Sequence, residues 1–287
     1  MHSLARYQSI LLTLFSWAAF STPLHALQVR VSPQSARLGD TISVRVQVDN
    51  PTLGEPTVRM GNTTYPVFPT ASGQFRAFVP SSPLDRPGTW SIRVEGDGTS
   101  QTIGVSMGDR SFPTQSIWLS ESDNALTGTD LEFDRVAEFK KLVTPNKFWS
   151  GPLRRPSSGW VSTIFGVQRY YNGEFANDYY HRGVDYAAPT GSPVVAPAAG
   201  RVMLVGTEAE GFEIHGNTVG IDHGQGVLSI LIHLHTIDVK EGQIVEAGQR
   251  IATVGSTGAS TGPHLHWGLY VNGVAVDPVP WRFDGIE

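Results

Sequence analysis

Seven of the nine histidines fall between His181 and His266, and residues 27–180 contain none. Histidine is the commonest metal ligand and the usual acid or base near neutral pH, so this crowding points to chemistry in one part of the chain. Three segments carry it. In His181-Arg182-Gly183-Val184-Asp185 an imidazole and a carboxylate stand four apart, and they converge if the chain turns at Gly183 and enters a strand. A nitrogen donor and an oxygen donor make a zinc-compatible pair. In Gly262-Pro263-His264-Leu265-His266-Trp267 a strand projects His264 and His266 from one face and turns Leu265 into the core. Two charged imidazoles there would repel each other. A metal on one resolves the conflict and leaves the other free to carry a proton. In Leu231-Ile232-His233-Leu234-His235 another same-face pair, His233 and His235, ends an apolar run. Together the segments supply His181, Asp185 and His266 as three ligands. Structural zinc sites fill four positions with protein groups, whereas catalytic sites keep one for water. Three ligands with histidines to spare therefore point to a catalytic ion, which brings hydroxide within reach of neutral pH. His215 and His223 have no metal role in this scheme and are read as structural or surface residues.

Strands must position these groups. From Trp160 onward short β-branched runs recur between glycines, as in Gly200-Arg201-Val202-Met203-Leu204-Val205, Thr218-Val219-Gly220-Ile221 and Gly226-Val227-Leu228-Ser229-Ile230-Leu231. Their lengths suit strands, which predicts an all-β domain over residues 160–287. Residues 27–107 also read as strands. Ile42, Val44, Val46 and Val48 alternate with polar residues, and Trp90, Ile92 and Val94 repeat the pattern. Turn signals separate these runs, which predicts a small, immunoglobulin-like β-sandwich. With no histidine, it reads as a packing or targeting module. Residues 108–159 form a connector. Within it Thr129-Asp130 caps a short helix that carries Leu131, Phe133, Val136, Phe139 and Leu142 at near-helical spacing and ends by Thr144-Pro145. The overall expectation is an all-β chain: an N-terminal sandwich followed by an antiparallel sheet domain.

Composition bounds the rest. A length of 287 residues fits roughly two domains, and 40% apolar content is enough for a core. The 31 glycines and 19 prolines favour short strands and tight turns over long helices. A net charge of -5 and a pI near 6.0 argue against a nucleic-acid partner. No cysteine is present, which excludes disulfides, thiolate metal sites, cysteine nucleophiles and lipidated cysteines. Residues 1–26 read as a secretory signal: Arg6 is the only charge, residues 10–20 are apolar, and Pro23-Leu24-His25-Ala26 precedes the cut. The alternative is an uncleaved anchor. No later run approaches 18 apolar residues, so no stable membrane insertion is expected after cleavage. The chain is expected to be exported to the periplasm or the exterior.

The combined residues resemble the lysostaphin-type zinc metalloendopeptidases, peptidase family M23. The likeness rests on His181-Arg182-Gly183-Val184-Asp185, on Pro193-Val194-Val195-Ala196-Pro197-Ala198-Ala199-Gly200-Arg201-Val202, and on the run from Gly255 to His266, Gly-Ser-Thr-Gly-Ala-Ser-Thr-Gly-Pro-His-Leu-His. It covers residues 160–278, less than half the chain. The resemblance implies an antiparallel β-domain with a groove, one zinc ion at its floor, and cleavage of peptide bonds in peptidoglycan. It implies that His181, Asp185 and His266 are the zinc ligands, that His264 is the catalytic base, and that His233 rather than His235 is a second catalytic histidine donating to the developing oxyanion. The chain departs from the family pattern at Leu231, where a tyrosine is usual, at His235, where a small polar residue is common, and at Gly268, where an acidic residue is often seen. These departures bear on groove shape and rate. Tyr170, Tyr171, Tyr179, Tyr180 and Trp267 flank the motifs, either lining the groove or packing in the core.

Two rivals remain in view. Some relatives lose zinc ligands and act as non-catalytic peptidoglycan-binding or regulatory proteins that activate other wall hydrolases; all five expected residues are retained here. The run from Val239 to Gln249 resembles the hairpins of biotinyl and lipoyl carriers, but no lysine follows Lys240 to be modified. Protein partners are not indicated by the sequence.

Overall fold

The computed structural model describes residues 27–118 and 127–283. The secretory-signal reading of residues 1–26 lies outside the described residues. Nearly all regular structure is β, as expected.

Two sheets build the N-terminal part. One orders the strands Gln28–Ser32, Thr41–Gln47, Gln74–Pro80 and Val67–Ala71; the other orders Ser35–Arg37, Thr99–Gly108, Gly88–Gly96, Thr57–Met60 and Thr63–Tyr65. Period-two alternation sends Ile42, Val44 and Val46 from the first sheet and Ile92 and Val94 from the second into one shared core. Trp90 is half-buried at its edge.

The C-terminal part is a ten-stranded sheet among the described residues. Its central order is Trp160–Thr163, Val184–Ala187, His264–Val271, Val227–Ile237, Asn217–Gly224, Gly200–Gly206 and Ile244–Val245, each antiparallel to its neighbour. The connector is not a free linker. Val136, Phe139, Trp149 and Leu153 are buried in the same core as this sheet. The helix Asp130–Lys140 starts where the cap predicts, with the Thr129 hydroxyl accepting from the Glu132 amide. Its buried face differs from the expectation. Leu131 and Phe133 are about half exposed, at 50% and 47%, while Glu132 is buried with Val136 and Phe139. Continued one turn backward, the phase of Val136 and Phe139 falls on Glu132, so the apolar residues beside it face outward.

The sandwich docks onto the C-terminal domain through Phe78, Gly39 and the following Arg110. The Phe78 ring lies 5.4 Å from Trp281 and 6.2 Å from Trp149. The Asp277 amide donates to the Gly39 carbonyl at 2.8 Å, and Arg110 pairs with Asp277 at 2.8 Å.

Candidate active site

Register assembles the site. Val184–Ala187 pairs with His264–Val271 so that Asp185 faces His266 and Ala187 faces His264. Alternation keeps Leu265 and Trp267 in the core and turns His264 and His266 toward the cleft. The turn before Asp185 brings in His181. Gly183 permits that turn: a Cβ there would lie 2.4 Å from the Trp267 carbonyl oxygen and 2.7 Å from His266 Nε2. Three ligand atoms converge as a result. His181 Nε2 is 3.0 Å from Asp185 Oδ1 and 3.0 Å from His266 Nδ1, and His266 Nδ1 is 2.8 Å from Asp185 Oδ1.

These separations fit a metal. A tetrahedron with zinc–nitrogen bonds of about 2.0–2.1 Å has edges of roughly 3.3 Å. Two nitrogens and a carboxylate oxygen are a hard-to-borderline donor set suited to zinc. The Ile164 carbonyl accepts from His181 Nδ1 at 2.8 Å, which places the proton there and leaves the Nε2 lone pair facing the shared point. Burial alone would raise the Asp185 carboxyl; the His181 and His266 rings packed against it override this and hold Asp185 ionised, well below the usual range. Burial pushes His266 down to about 4 against the pull of Asp185, so its imidazole is neutral near pH 7. Neutral imidazole and ionised carboxylate are the forms that bind a metal.

His264 and His233 stand beside this group. His264 Nε2 lies 3.9 Å from Asp185 Oδ1, and its Nδ1 donates to the Gly262 carbonyl at 2.8 Å. The His233 ring is 4.8 Å from the His264 ring, and its Nδ1 donates to the Thr257 carbonyl at 2.8 Å. In the neutral form both rings therefore present a bare Nε2. Burial, with His264 and His266 adding to it, pushes His233 down to about 3. Neutral His233 is thus an acceptor at Nε2, and the expected hydrogen bond to an oxyanion requires it to take up a proton first.

The expected pairing of His233 with His235 on one face does not hold. His233 has a φ of 62°, in the left-handed region, and its strand carries one extra residue against Asn217–Gly224 at this point. The strand also changes partners there. Ile232 pairs with His266, whereas Leu234 pairs with Val254. The bulge turns His233 into the site and leaves His235 exposed.

One residue that sequence reasoning missed supports His233. The buried Glu132 carboxylate accepts from the amides of Glu213, Ile214 and His215 at 2.6–3.1 Å and from His215 Nδ1 at 2.5 Å. Burial would raise this carboxyl, but these hydrogen bonds and the His215 ring bring it down to about 2. The clamped loop then holds His233 twice. The His215 carbonyl accepts from the His233 amide at 3.0 Å, and the Ile214 carbonyl accepts from the Ala259 amide at 2.9 Å, next to the Thr257 carbonyl that orients the ring. The helix phase noted above was the available signal. His223 is a core residue rather than a surface one. It is wholly buried between the Ala199 carbonyl and the Ser229 hydroxyl.

A cleft of about 1400 Å³ opens over these groups. Tyr171, Tyr179 and Tyr180 line it. Trp267 does not; it is buried, with its indole N–H on the Ser229 hydroxyl at 3.1 Å. Leu231, one departure from the family pattern, is likewise on the core side; Gly268, another, is on the His264 and His266 face, where a Cβ would meet Ile230 at 2.9 Å and the Arg182 carbonyl at 3.1 Å.

Residues 179–278 match the family model for peptidase family M23, and this chain carries a domain of that family. A crystal structure from Pseudomonas aeruginosa, provisionally described as a peptidase M23, is similar over 85% of this chain and 93% of its own, at 27% identity and a TM-score of 0.62. A DD-carboxypeptidase/endopeptidase Mpg of Neisseria meningitidis is 46% identical over 99 residues, 34% of this chain and 22% of that protein. A murein hydrolase activator NlpD of Escherichia coli is 36% identical over 136 residues, 47% of this chain and 31% of that protein. The matched segments thus span less than a third of either curated relative.

Proposed function

We propose that this chain is a zinc-dependent endopeptidase that hydrolyses peptide bonds in peptidoglycan stems or cross-links, outside the cytoplasm. The observation that carries the reading is the convergence of His181 Nε2, His266 Nδ1 and Asp185 Oδ1 beside two further cleft-facing histidines. His181, Asp185 and His266 would hold one zinc ion. When bound, the ion supplies Lewis acidity toward water and the scissile carbonyl. His264, fixed by the Gly262 carbonyl with Nε2 bare, takes the proton of the attacking water and returns it to the leaving amine. Neutral His233, with its Nδ1 proton on the Thr257 carbonyl, accepts at Nε2 a hydrogen bond that orients that water.

The test is digestion of purified peptidoglycan by the mature chain, with and without a chelator, and mass identification of the fragments. New peptide ends that vanish with chelator and return with zinc support the reading. The similarity to an activator gives a second reading, a non-catalytic regulator of other wall hydrolases. Uncut peptidoglycan in the presence of the zinc-loaded chain would favour that one.

A further inference from the structure

We propose that the cleft selects peptides bearing free carboxylates, through three cations, Arg169, Arg182 and Lys140, that line it and make no ion pair with a carboxylate among the described residues. This rests on the peptidase reading above and names its substrate chemistry.

All three cations line the cleft that holds the histidines. They come from three separate segments and meet through aromatic rings. Arg169 Nη1 lies 3.2 Å from the Tyr171 hydroxyl and 3.3 Å from the Tyr179 hydroxyl. The Tyr179 ring carries both guanidinium groups, Arg169 at 5.9 Å and Arg182 at 5.3 Å. Arg182 also stacks on Tyr180 at 5.3 Å, and Lys140 sits 4.9 Å from the centre of the Tyr270 ring. Rings hold the cationic heads in place without neutralising them.

What sets this place apart is that three cations gather in one cleft. Elsewhere the same chain pairs its cations, as in Arg110 with Asp277 and Arg250 with Asp238. Among the described residues the one carboxylate lining the cleft is Asp185, which is engaged by His181 and His266 and reaches Arg169 only through its charge, with no ion pair between them. Asp85 lies in the adjoining pocket beside Lys140 and makes no ion pair with it among the described residues. Arg169 Nε is buried without a hydrogen-bond partner. Burial, and then the charge of Arg182, push the Lys140 ammonium down to about 8. Like charges held together at a partly dry site are costly until an anion arrives. The chain as a whole is acidic, at -5, so this cationic wall runs against its average. Arg182 lines the same cleft as His181, His264 and His266, so an anion held by it shares that cleft with the histidines. A carboxylate can engage a guanidinium in two parallel hydrogen bonds; a carboxamide cannot do so with the same charge.

The experiment uses one soluble cross-linked stem peptide in two forms, with its free carboxylates intact or converted to carboxamides. Cleavage by the zinc-loaded mature chain is expected to favour the free acid by at least about tenfold in kcat/KM, mainly through KM, with the preference shrinking as salt rises. Arg182→Gln and, on a different element, Lys140→Met should each compress that ratio several-fold. Equal cleavage of the two forms by the unaltered chain, or an unchanged ratio in both variants, overturns the proposal while leaving the peptidase reading intact. If neither form is cut, the peptidase reading fails, and titration calorimetry of the two peptides decides the present one: equal affinities reject it, and tighter, salt-sensitive binding of the free acid supports it.

Discussion

Asp185 and His266 are direct cross-strand partners, and the oxygen of one lies 2.8 Å from the nitrogen of the other. Sheet register therefore sets the distance between two candidate metal ligands, and the turn at Gly183 brings the third to within 3.0 Å of both. Asp185→Ala should remove one donor and leave two imidazoles on adjacent elements. Zinc content measured by atomic emission should fall from about one per chain to near zero. Full zinc retention in this variant would refute the ligand assignment.

Gly183→Ala tests the same relationship from the backbone. The new Cβ meets the Trp267 carbonyl and the His266 ring at 2.4 and 2.7 Å. The turn must retreat from the strand, so zinc affinity should drop by at least about 10-fold, the scale seen when the groups that orient a ligand are lost. Far-UV circular dichroism should be unchanged, and a metal titration reads the difference.

His264→Ala separates chemistry from binding. A positioned general base contributes about 10²–10⁴-fold, so turnover should fall by that factor while zinc stays bound. Loss of the metal in this variant would move His264 into the ligand set instead.

Glu132→Ala probes the clamp from the connector helix. Four donors lose a buried carboxylate, at a stability cost of about 3 kcal/mol, read by urea denaturation. His233 loses its support on both sides, so kcat should fall more than KM rises, with zinc content unchanged. A variant destabilised to that extent yet with full kcat would limit Glu132 to a structural role.

Stability should also depend on pH through His223. Burial pushes it down to about 4, below its unfolded value near 6.5. Its neutral form is favoured by folding, so its contribution is complete above pH 6.5 and is lost as pH falls from 6.5 toward 4. The full difference is of order 3 kcal/mol. Denaturation midpoints at pH 7.5 and 5 should differ less in His223→Phe than in the unaltered chain. Equal slopes would show that His223 is not a source of the acid sensitivity.

Much of the site was legible before the fold. His181, Asp185, His264 and His266 declare themselves because metal binding and proton transfer admit few residue types, and because the turn and the two-residue strand period are local. Period-two alternation likewise marked Ile42, Val44, Ile92 and Val94 as core. His235 shows the limit of that rule. Alternation tied it to His233, but a bulge and a change of strand partner at His233 broke the period. The helix was visible from its cap, yet its buried face was set by the sheet beneath it, which chose Glu132 over Leu131 and Phe133.

By itself, then, the sequence determined the candidate site residues, the family resemblance and the all-β class, since these depend on residue identity and short-range spacing. The tertiary structure alone decided that Glu132 clamps the loop behind His233, that Trp267 is core, and that Arg169, Arg182 and Lys140 share one cleft wall. Those facts join residues far apart in the chain, and only strand register and packing bring such residues together.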